Sequence, residues 1–460
     1  MKVAFLVILL SLEGLLMFLS ASIENFRSIK NRSTISFLAS GSKEHHPGHI
    51  YSSEKSGHNV LKSSGFYGAN ASGKSNFLLA FEAIRYMTVG SGNLKEGDKI
   101  PCYEPYRLSK NTKNSPTTFE IEFLSRDEVK YVYKISYDES KVVEEILDFY
   151  PNKVKSNVFY RGIDDSWETI KFGGNYKGGT KKVAFFENNT YLSKAGDNAS
   201  TPQMIRDVYN FFRQDCIGLR TSERFKINSS SVDNINDVMD KISKVLCYVD
   251  TGIKGITMTE VDVELPEFIE KNIPDEVRKI YIDNTKDKFL FTHVGEDGVE
   301  AVFDEEDESD GTRKIFSMMH PLMEAFKDRT VFIFDELDNG LHPHIADMVI
   351  RLFNDKTVNK VGSQLIFSTH NMQIMSSEKM RRDQIWFVEK NEGNSRCYSL
   401  DDFDKKKVKP TTPYHVWYDD GRFGGVPTIN YTKIKSLILD LNGEQDVDPD
   451  IFGIVDSEEE

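Results

Sequence analysis

Gly68-Ala69-Asn70-Ala71-Ser72-Gly73-Lys74-Ser75 spells G-x-x-x-x-G-K-[ST] in full, a spacing that suits a phosphate cradle. Its glycines let successive backbone N–H groups turn inward on oxyanions, and Lys74 carries a cation to the β- and γ-phosphates. The Ser75 hydroxyl is a hard oxygen ligand for Mg²⁺, and Asn76 follows in the first turn beyond the loop. An isolated match of this kind also arises by chance. This one stands between an apolar stretch, "VLKSSGFY", and an amphipathic one, "NFLLAFEAIRYM", the strand–loop–helix setting that such a loop requires. Gly68 to Asn76 therefore read as a nucleotide-binding loop for ATP with Mg²⁺, not as a bland glycine turn.

A second group follows in "TVFIFDELDNGLHP". Val331 to Phe334 are four apolar residues, the length and character of a buried parallel strand, and they end in Asp335 and Glu336. A carboxylate at the C-terminal edge of such a strand can complete the Mg²⁺ shell begun by Ser75, and Asp335 is assigned that place. The neighbouring Glu336 is suited to take a proton from an attacking water as general base. With a phosphate loop upstream, this outweighs a pair of solvated acids after an edge strand. The distance in sequence from Lys74 to Asp335 is far longer than a small kinase or GTPase places between these elements, so a large segment is inserted, as in ABC-type ATPases.

The elements that must position these residues are legible around them. "FLSASIENFRSIKNRSTISFL" predicts two strands joined by a polar turn. The next loop holds His45, His46 and His49 without a carboxylate or cysteine at ligand spacing, and reads as solvated. "TFEIEFLSRDEVKYVYKISYDESKVVEEILDFYP" alternates apolar and polar residues and predicts an antiparallel meander. "TPQMIRDVYNFFRQ" and "VDNINDVMDKISKVLCYV" predict helices, and β character returns over 256–303. A helix begins near Asp310, and "DRTVFIFDE" and "SQLIFSTH" predict parallel strands. The expected organisation is a possible upstream extension (1–16) and an N-terminal lobe with phosphate loop and meander (17–195). A helical insertion (196–255), a C-terminal lobe with the acids (256–403) and a charged tail (404–460) follow.

Composition narrows the class. The chain has 460 residues, 39% hydrophobic and 28% charged, which suits an ordinary globular protein of two or three domains. A formal net charge of -14 argues against a dominant nucleic-acid-binding surface. Cys102, Cys216, Cys247 and Cys397 are scattered, without C-x-x-C spacing, which fits a reducing compartment and no zinc ribbon. The apolar start "MKVAFLVILLSLEGLLMFLS" resembles a signal or anchor, but Glu13 interrupts it and Ser20-Ala21-Ser22 is a weak cleavage site. The natural start is expected at Met17, with a true anchor and a packed N-terminal element as the alternatives.

Together "ENFRS", "GANASGKSN", "ESDGTR", "FDELDNGLHP" and "IFSTHN" resemble the ABC/SMC-like branch of AAA-type ATPases, which includes RecF, SMC and OLD proteins. "RRDQIWFVEK", "CYSLDDF" and "GRFGGVP" look similar to the single-chain ATPases of bacterial defence loci, the RloA/AbiL type. The likeness runs from about Phe18 to Pro427. It implies an α/β fold of the P-loop NTPase class, an ABC-type ATPase head with an antiparallel β-meander and an inserted helical segment. It implies that Ser309 and Gly311 form a signature whose helix end caps the γ-phosphate held by a second copy. It also implies that His370 is a switch histidine sensing that phosphate. Alone, S-D-G is a common turn and a strand-end histidine is usually structural. The resemblance further implies a homodimer or higher homo-oligomer, a separately encoded effector protein, and a bacterial cytoplasmic setting with no membrane. One departure stands out: where ABC transporters carry an Asp after the catalytic Glu, the chain reads Asn339-Gly340-Leu341-His342-Pro343, with His342 as the candidate substitute. No glutamine is assigned to the Q loop.

Three functions compete. An ATP-hydrolysing switch for a partner effector fits the motifs. A RecF- or SMC-like DNA-repair or DNA-end-binding ATPase would use Lys405 to Lys409 on phosphates, against the acidic balance and the lack of long heptad runs. A transporter subunit would carry a shorter helical insertion. "LDDFD" at 400–404 lies in a polar, Lys-rich stretch and does not supply a nuclease domain.

Overall fold

The computed structural model describes residues 17–41, 46–125, 127–219, 234–249, 251–262, 278, 282, 286–427 and 429–441. The expected upstream extension, His45 and the end of the charged tail lie outside them.

Strict alternation builds the first sheet. Along Thr117–Leu124, Thr117, Phe119, Ile121 and Phe123 are buried while Thr118, Glu120 and Glu122 turn outward. That strand, β6, joins β1 (Met17–Glu24), β2 (Ser33–Ser36), β7 (Lys130–Tyr137), β8 (Val142–Tyr150), β9 (Ser156–Arg161) and β10 (Lys171–Phe172). They form a seven-stranded antiparallel sheet in the order β10-β9-β8-β7-β6-β1-β2. Short, wholly buried strands form the centre of the second sheet. β5 (Ser63–Tyr67), β15 (Val331–Phe334) and β16 (Gln364–Ser368) are buried throughout, as parallel strands covered on both faces must be. With β11 (Cys216–Leu219), β17 (Ile385–Asn391) and β18 (Asn394–Ser399) they form the order β11-β15-β16-β5-β17-β18, parallel except for β18. β3 (Ile50–Ser52) pairs with β4 (Asn59–Leu61), and β12 (Ile253–Glu260), β13 (Asp287–Val294) and β14 (Glu300–Asp304) make a third small sheet.

The helices with described bounds are α1 (Lys74–Arg85), α2 (Tyr191–Gly196), α3 (Gln203–Asn210), α4 (Ile235–Tyr248), α5 (Asp310–Ala325), α6 (Pro343–Asn354), α7 (Tyr414–Asp419) and α8 (Tyr431–Leu441). α1 buries Phe77, Leu78, Ala80, Phe81, Ala83 and Ile84 in one core shared by both large sheets. An aromatic cluster closes that core: Phe18 meets Phe81 at 5.2 Å and Phe211 at 5.1 Å between ring centroids. α5 carries the third sheet, with Phe289 and Phe291 set edge-on against Phe316. Residues up to Gly425 form one compact unit; those from Val426 form a second, in which α8 leaves Ile434, Leu437 and Ile438 exposed. No helix among the described residues is long and apolar enough to cross a membrane.

Three stretches differ from what the sequence suggests. β11 lies inside the span read as helical, because four residues directly after an amphipathic helix are too few to show a period of two. Residues 404–425 carry α7 and bury Val408, Tyr414, Tyr418 and Phe423, whose spacing among charged neighbours disguises them as tail. His46 and His49 are pinned rather than solvated: His46 Nε2 lies 2.7 Å from the Ser377 carbonyl and His49 Nδ1 lies 2.8 Å from Gln384 Oε1. Burial pushes the His49 imidazole down to about 4.

One side chain links the two large sheets. β1 bulges between Phe18 and Ser20 in its pairing with β6. Gln364 on β16 accepts from Phe18 N at 2.7 Å, and its amide donates to the carbonyls of Phe18 and Leu61, both at 3.1 Å. A buried backbone group left without a partner costs about 1–3 kcal/mol. Gln364→Leu is therefore expected to lower unfolding free energy by at least about 2 kcal/mol in urea denaturation; a loss below about 0.5 kcal/mol would remove Gln364 as the clasp.

Candidate nucleotide-binding site

Register in the parallel sheet fixes where the chemistry gathers. Ser368 pairs with Phe66, and Phe334 pairs with Phe367. The residues that follow β5, β15 and β16 therefore leave the sheet at one edge: the glycine loop, Asp335 with Glu336, and Thr369 with His370.

Between β5 and α1 the chain turns through Ala71 (φ 60°) and Gly73 (φ 110°). A Cβ on Gly73 would lie 2.4 Å from Ser395 Oγ and 2.9 Å from Ser28 Oγ, and one on Gly68 would lie 2.3 Å from the Val388 carbonyl oxygen. Both glycines thus allow a backbone approach that no side chain permits. The loop is braced from outside: Ser395 Oγ donates to the Ser72 carbonyl at 2.5 Å, and Ala69 N donates to the Gly425 carbonyl at 2.6 Å. Arg27 reaches Asn76 Oδ1 at 3.1 Å while paired with Glu104 at 2.7 Å. Inside, the N–H groups of Asn70, Ala71, Gly73, Lys74 and Ser75 find no acceptor among the described residues. The Lys74 ammonium, 6% exposed, donates back to the carbonyls of Gly68 (2.8 Å) and Ala69 (3.2 Å). Burial pushes that amine's pKa down, and the carboxylates of Asp335, Glu336 and Asp338 push it up. Unfilled donors, a helix N-terminus and a held cation suit a chain of phosphates.

The acids are tied to the loop. Ser75 Oγ donates to Asp335 Oδ1 at 3.1 Å and Ser368 Oγ donates to the same oxygen at 2.7 Å. Ser368 Oγ also accepts from Glu336 N at 2.7 Å. Glu336 sits at φ 52°, left-handed backbone that costs a side-chain-bearing residue about 1–2 kcal/mol. A hydroxyl and a carboxylate are the hard oxygens Mg²⁺ takes, and a Mg²⁺ ion needs few protein ligands because it keeps waters and substrate phosphates. Ser75 and Asp335 could therefore hold it. His370 stands at the same edge. Burial and the Lys74 cation lower its pKa against the pull of Asp338, Glu336 and Asp335, so its imidazole is neutral at pH 7.

Gly68 to Asn76, Asp335, Glu336 and His370 are thus brought together. Ser309 and Gly311 are not. Ser309 caps α5, its Oγ accepting from Thr312 N at 3.1 Å, and among the described residues its side-chain hydrogen bonds run to Thr312 alone while its carbonyl accepts from Arg313 N at 3.0 Å. Gly311 lies against Gly340, where a Cβ would meet the carbonyl oxygen at 2.7 Å. His342 is the N-cap of α6, its Nδ1 accepting from His344 N at 3.3 Å. Sequence reasoning missed Ser368, Ser28, Ser395 and Arg27. Only the last three-residue approach to His370 ("STH") and the stretch "NFRS" hinted at them.

Gly73→Ala places a Cβ into Ser395 on a backbone that only glycine adopts readily. It is expected to weaken binding of a fluorescent ATP analogue by more than about tenfold, a free-energy change of about 1.4 kcal/mol. Gly41→Ala, with nothing within 4 Å, is the matched control and should bind as wild type.

Solved structures resemble the chain at low identity. An SMC head domain with a coiled coil and joint from Pyrococcus yayanosii is 11% identical and covers 88% of this chain and 99% of that one, with TM-score 0.42. The SMC head domain from Thermotoga maritima is 13% identical over 83% and 98%, with TM-score 0.35. The recombination mediator protein RecF with ATP is 13% identical over 84% and 99%, with TM-score 0.35. No curated protein sequence matches the chain. The family described as "AAA domain, putative AbiEii toxin, Type IV TA system" matches residues 63–215 and 217–376, well over half of the chain. Those spans hold the glycine loop, the Ser309–Gly311 turn, both acids and His370, and the chain belongs to this family of AAA ATPase domains.

Proposed function

We propose that the protein is an ATP-hydrolysing switch of the RloA/AbiL kind, which closes as a homodimer around ATP and regulates a separately encoded effector in bacterial anti-phage defence. The observation that carries the ATPase reading is the convergence of Ser75 and Ser368 on Asp335 Oδ1, with Glu336 next in the chain and unfilled amides across the gap. The family's description as part of a toxin–antitoxin system supports the defence setting.

In this reading phosphates take the free N–H groups of the loop, and Lys74 leaves the Gly68 and Ala69 carbonyls for the β- and γ-phosphate oxygens. Mg²⁺ held by Ser75 and Asp335 would neutralise phosphate charge. Glu336 accepts a proton from water as its oxygen bonds the γ-phosphorus, and the bond to the bridging oxygen breaks to leave ADP and phosphate. Neutral His370 donates one N–H to a γ-phosphate oxygen. Ser309, exposed at the start of α5 and without a hydrogen bond to its own glycine loop among the described residues, serves the phosphate of a second copy. The DNA-end-binding alternative would use Lys405, Lys406, Lys407 and Lys409, of which Lys405 is already paired with Asp401 at 3.2 Å.

Two substitutions test this. Lys74→Ala is expected to abolish ATP binding. Glu336→Gln should bind ATP with wild-type affinity, lose about 10²–10⁴-fold in turnover, and double in solution mass when ATP and Mg²⁺ are added. Near wild-type turnover in Glu336→Gln would show that the base lies elsewhere, and an unchanged mass would remove the dimer.

A further inference from the structure

A buried lysine in α5 is absent from the roles above. Lys314 is 7% exposed, and its Nζ lies 2.8 Å from the Asn339 carbonyl oxygen and 3.4 Å from those of Glu336 and Leu337. We propose that Lys314 is a positioning residue: it holds Glu336 in its reactive place and ties that place to the first turn of the α5 helix. The inference rests on reading Glu336 as the general base.

The loop from Glu336 to Gly340 is gripped on two sides. On the strand side, Ser368 takes its N–H groups, with Glu336 N on Ser368 Oγ at 2.7 Å and Leu337 N on the Ser368 carbonyl at 3.0 Å. On the helix side three carbonyls converge, and an ammonium has three N–H donors and nothing to accept with. Converging carbonyl dipoles repel one another in a buried space, so a cation there stabilises the turn as no apolar side chain could. Glu336 needs such restraint, because left-handed backbone persists in a non-glycine residue only where its surroundings over-determine it. Burial lowers the Lys314 pKa, against the pull of the Asp338 and Glu336 carboxylates.

A second contact joins the same two elements. Gly311 approaches Gly340 so closely that a Cβ would lie 2.7 Å from its carbonyl oxygen. The start of α5 and the loop after Asp335 are therefore linked at both Gly311–Gly340 and Lys314–Asn339. Ser309 caps that helix start. A phosphate that engages Ser309 from a second copy thus acts on a helix turn whose movement is passed directly to the backbone of Glu336. Movement of that turn reaches the backbone of the base through both links, the Lys314 ammonium and the Gly311–Gly340 contact.

The test uses the full chain, with steady-state ATP turnover and binding of a fluorescent ATP analogue. Lys314→Met is expected to lower kcat by about 10- to 100-fold, as a base misplaced by about 1 Å would, while KM and analogue affinity stay within about twofold. Lys314→Arg, which keeps a cation and several donors, should recover most of kcat. In the Glu336→Gln background, adding Lys314→Met should change residual turnover by less than about twofold, because a residue acting through the base has nothing left to position. Wild-type kcat in Lys314→Met, or an equal loss with and without Glu336, overturns the inference. If Lys314→Met does not fold, Lys314→Gln, which keeps two donors and loses the charge, takes its place in the same cycle. Wild-type turnover in Glu336→Gln alone is a separate outcome: it removes the base assignment, and this inference with it.

Discussion

Parallel pairing of β5, β16 and β15 is the constraint on which the site depends. Because all three run the same way, Phe66 lies beside Ser368 and Phe334 beside Phe367, and the residues that follow each strand emerge together. Reversing β15 alone would carry Asp335 to the opposite edge, about 13 Å away for four residues at about 3.3 Å each. Parallel neighbours cannot be joined by a tight turn, so each return crosses the sheet through a longer segment. α6 makes the crossing from β15 to β16. The meander, α2 and α3 lie within the crossing from β5 to β11, and α4, the small third sheet and α5 within the one from β11 to β15. The long separation between loop and acids follows from that topology.

Within this frame the site is organised by pairing of backbone groups rather than by surface charge. Lys74, almost wholly buried, would be costly as a bare cation, and the carbonyls of Gly68 and Ala69 satisfy it until something better arrives. The five loop amides have no such substitute. A phosphate therefore gains the amides outright and the lysine only by exchange, so much of the binding energy comes from backbone geometry. That geometry is held by Ser28 and Ser395 against Gly73, and by Gly425 against Ala69 N. The braces come from the turn after β1, from the hairpin of β17 and β18, and from the segment after α7.

The contiguous part of this site was legible in the sequence because its chemistry is local. The spacing of Gly68, Gly73, Lys74 and Ser75 needs only neighbours to have meaning, and four apolar residues before Asp335 declare a buried strand. The braces were not legible, because Ser395 meets Ser28 across 367 positions and has no unusual neighbours. Lys314 is one of two basic residues in "GTRK", and only the folded loop shows that three carbonyls point at it. β11 and the packed segment through Gly425 were hidden for a related reason. Their apolar residues are too few, or too mixed with Asp and Lys, for any periodicity to form.

The start of α5 presents a different electrostatic problem from the glycine loop, and its surroundings address it. Glu305, Glu306, Asp307 and Glu308 lead into Ser309, and Asp310 follows it, a run of acids that would repel any phosphate approaching the helix end. Several of these acids are engaged by neighbours. His293 Nε2 lies 2.7 Å from Glu308 Oε1, and Arg313 reaches Asp310 at 2.8 Å. Ser309 Oγ accepts from Thr312 N and lies 2.9 Å from Thr312 Oγ1, and when Thr312 is the donor of that pair the Ser309 proton can turn outward toward an oxyanion. The acids on either side still favour a ligand whose charge is partly neutralised before it arrives. In the proposed dimer a nucleotide carried on the loop of another copy, with Lys74 and Mg²⁺ beside it, would meet that condition better than free phosphate in solution. The acidic approach would then select for a phosphate delivered by a partner.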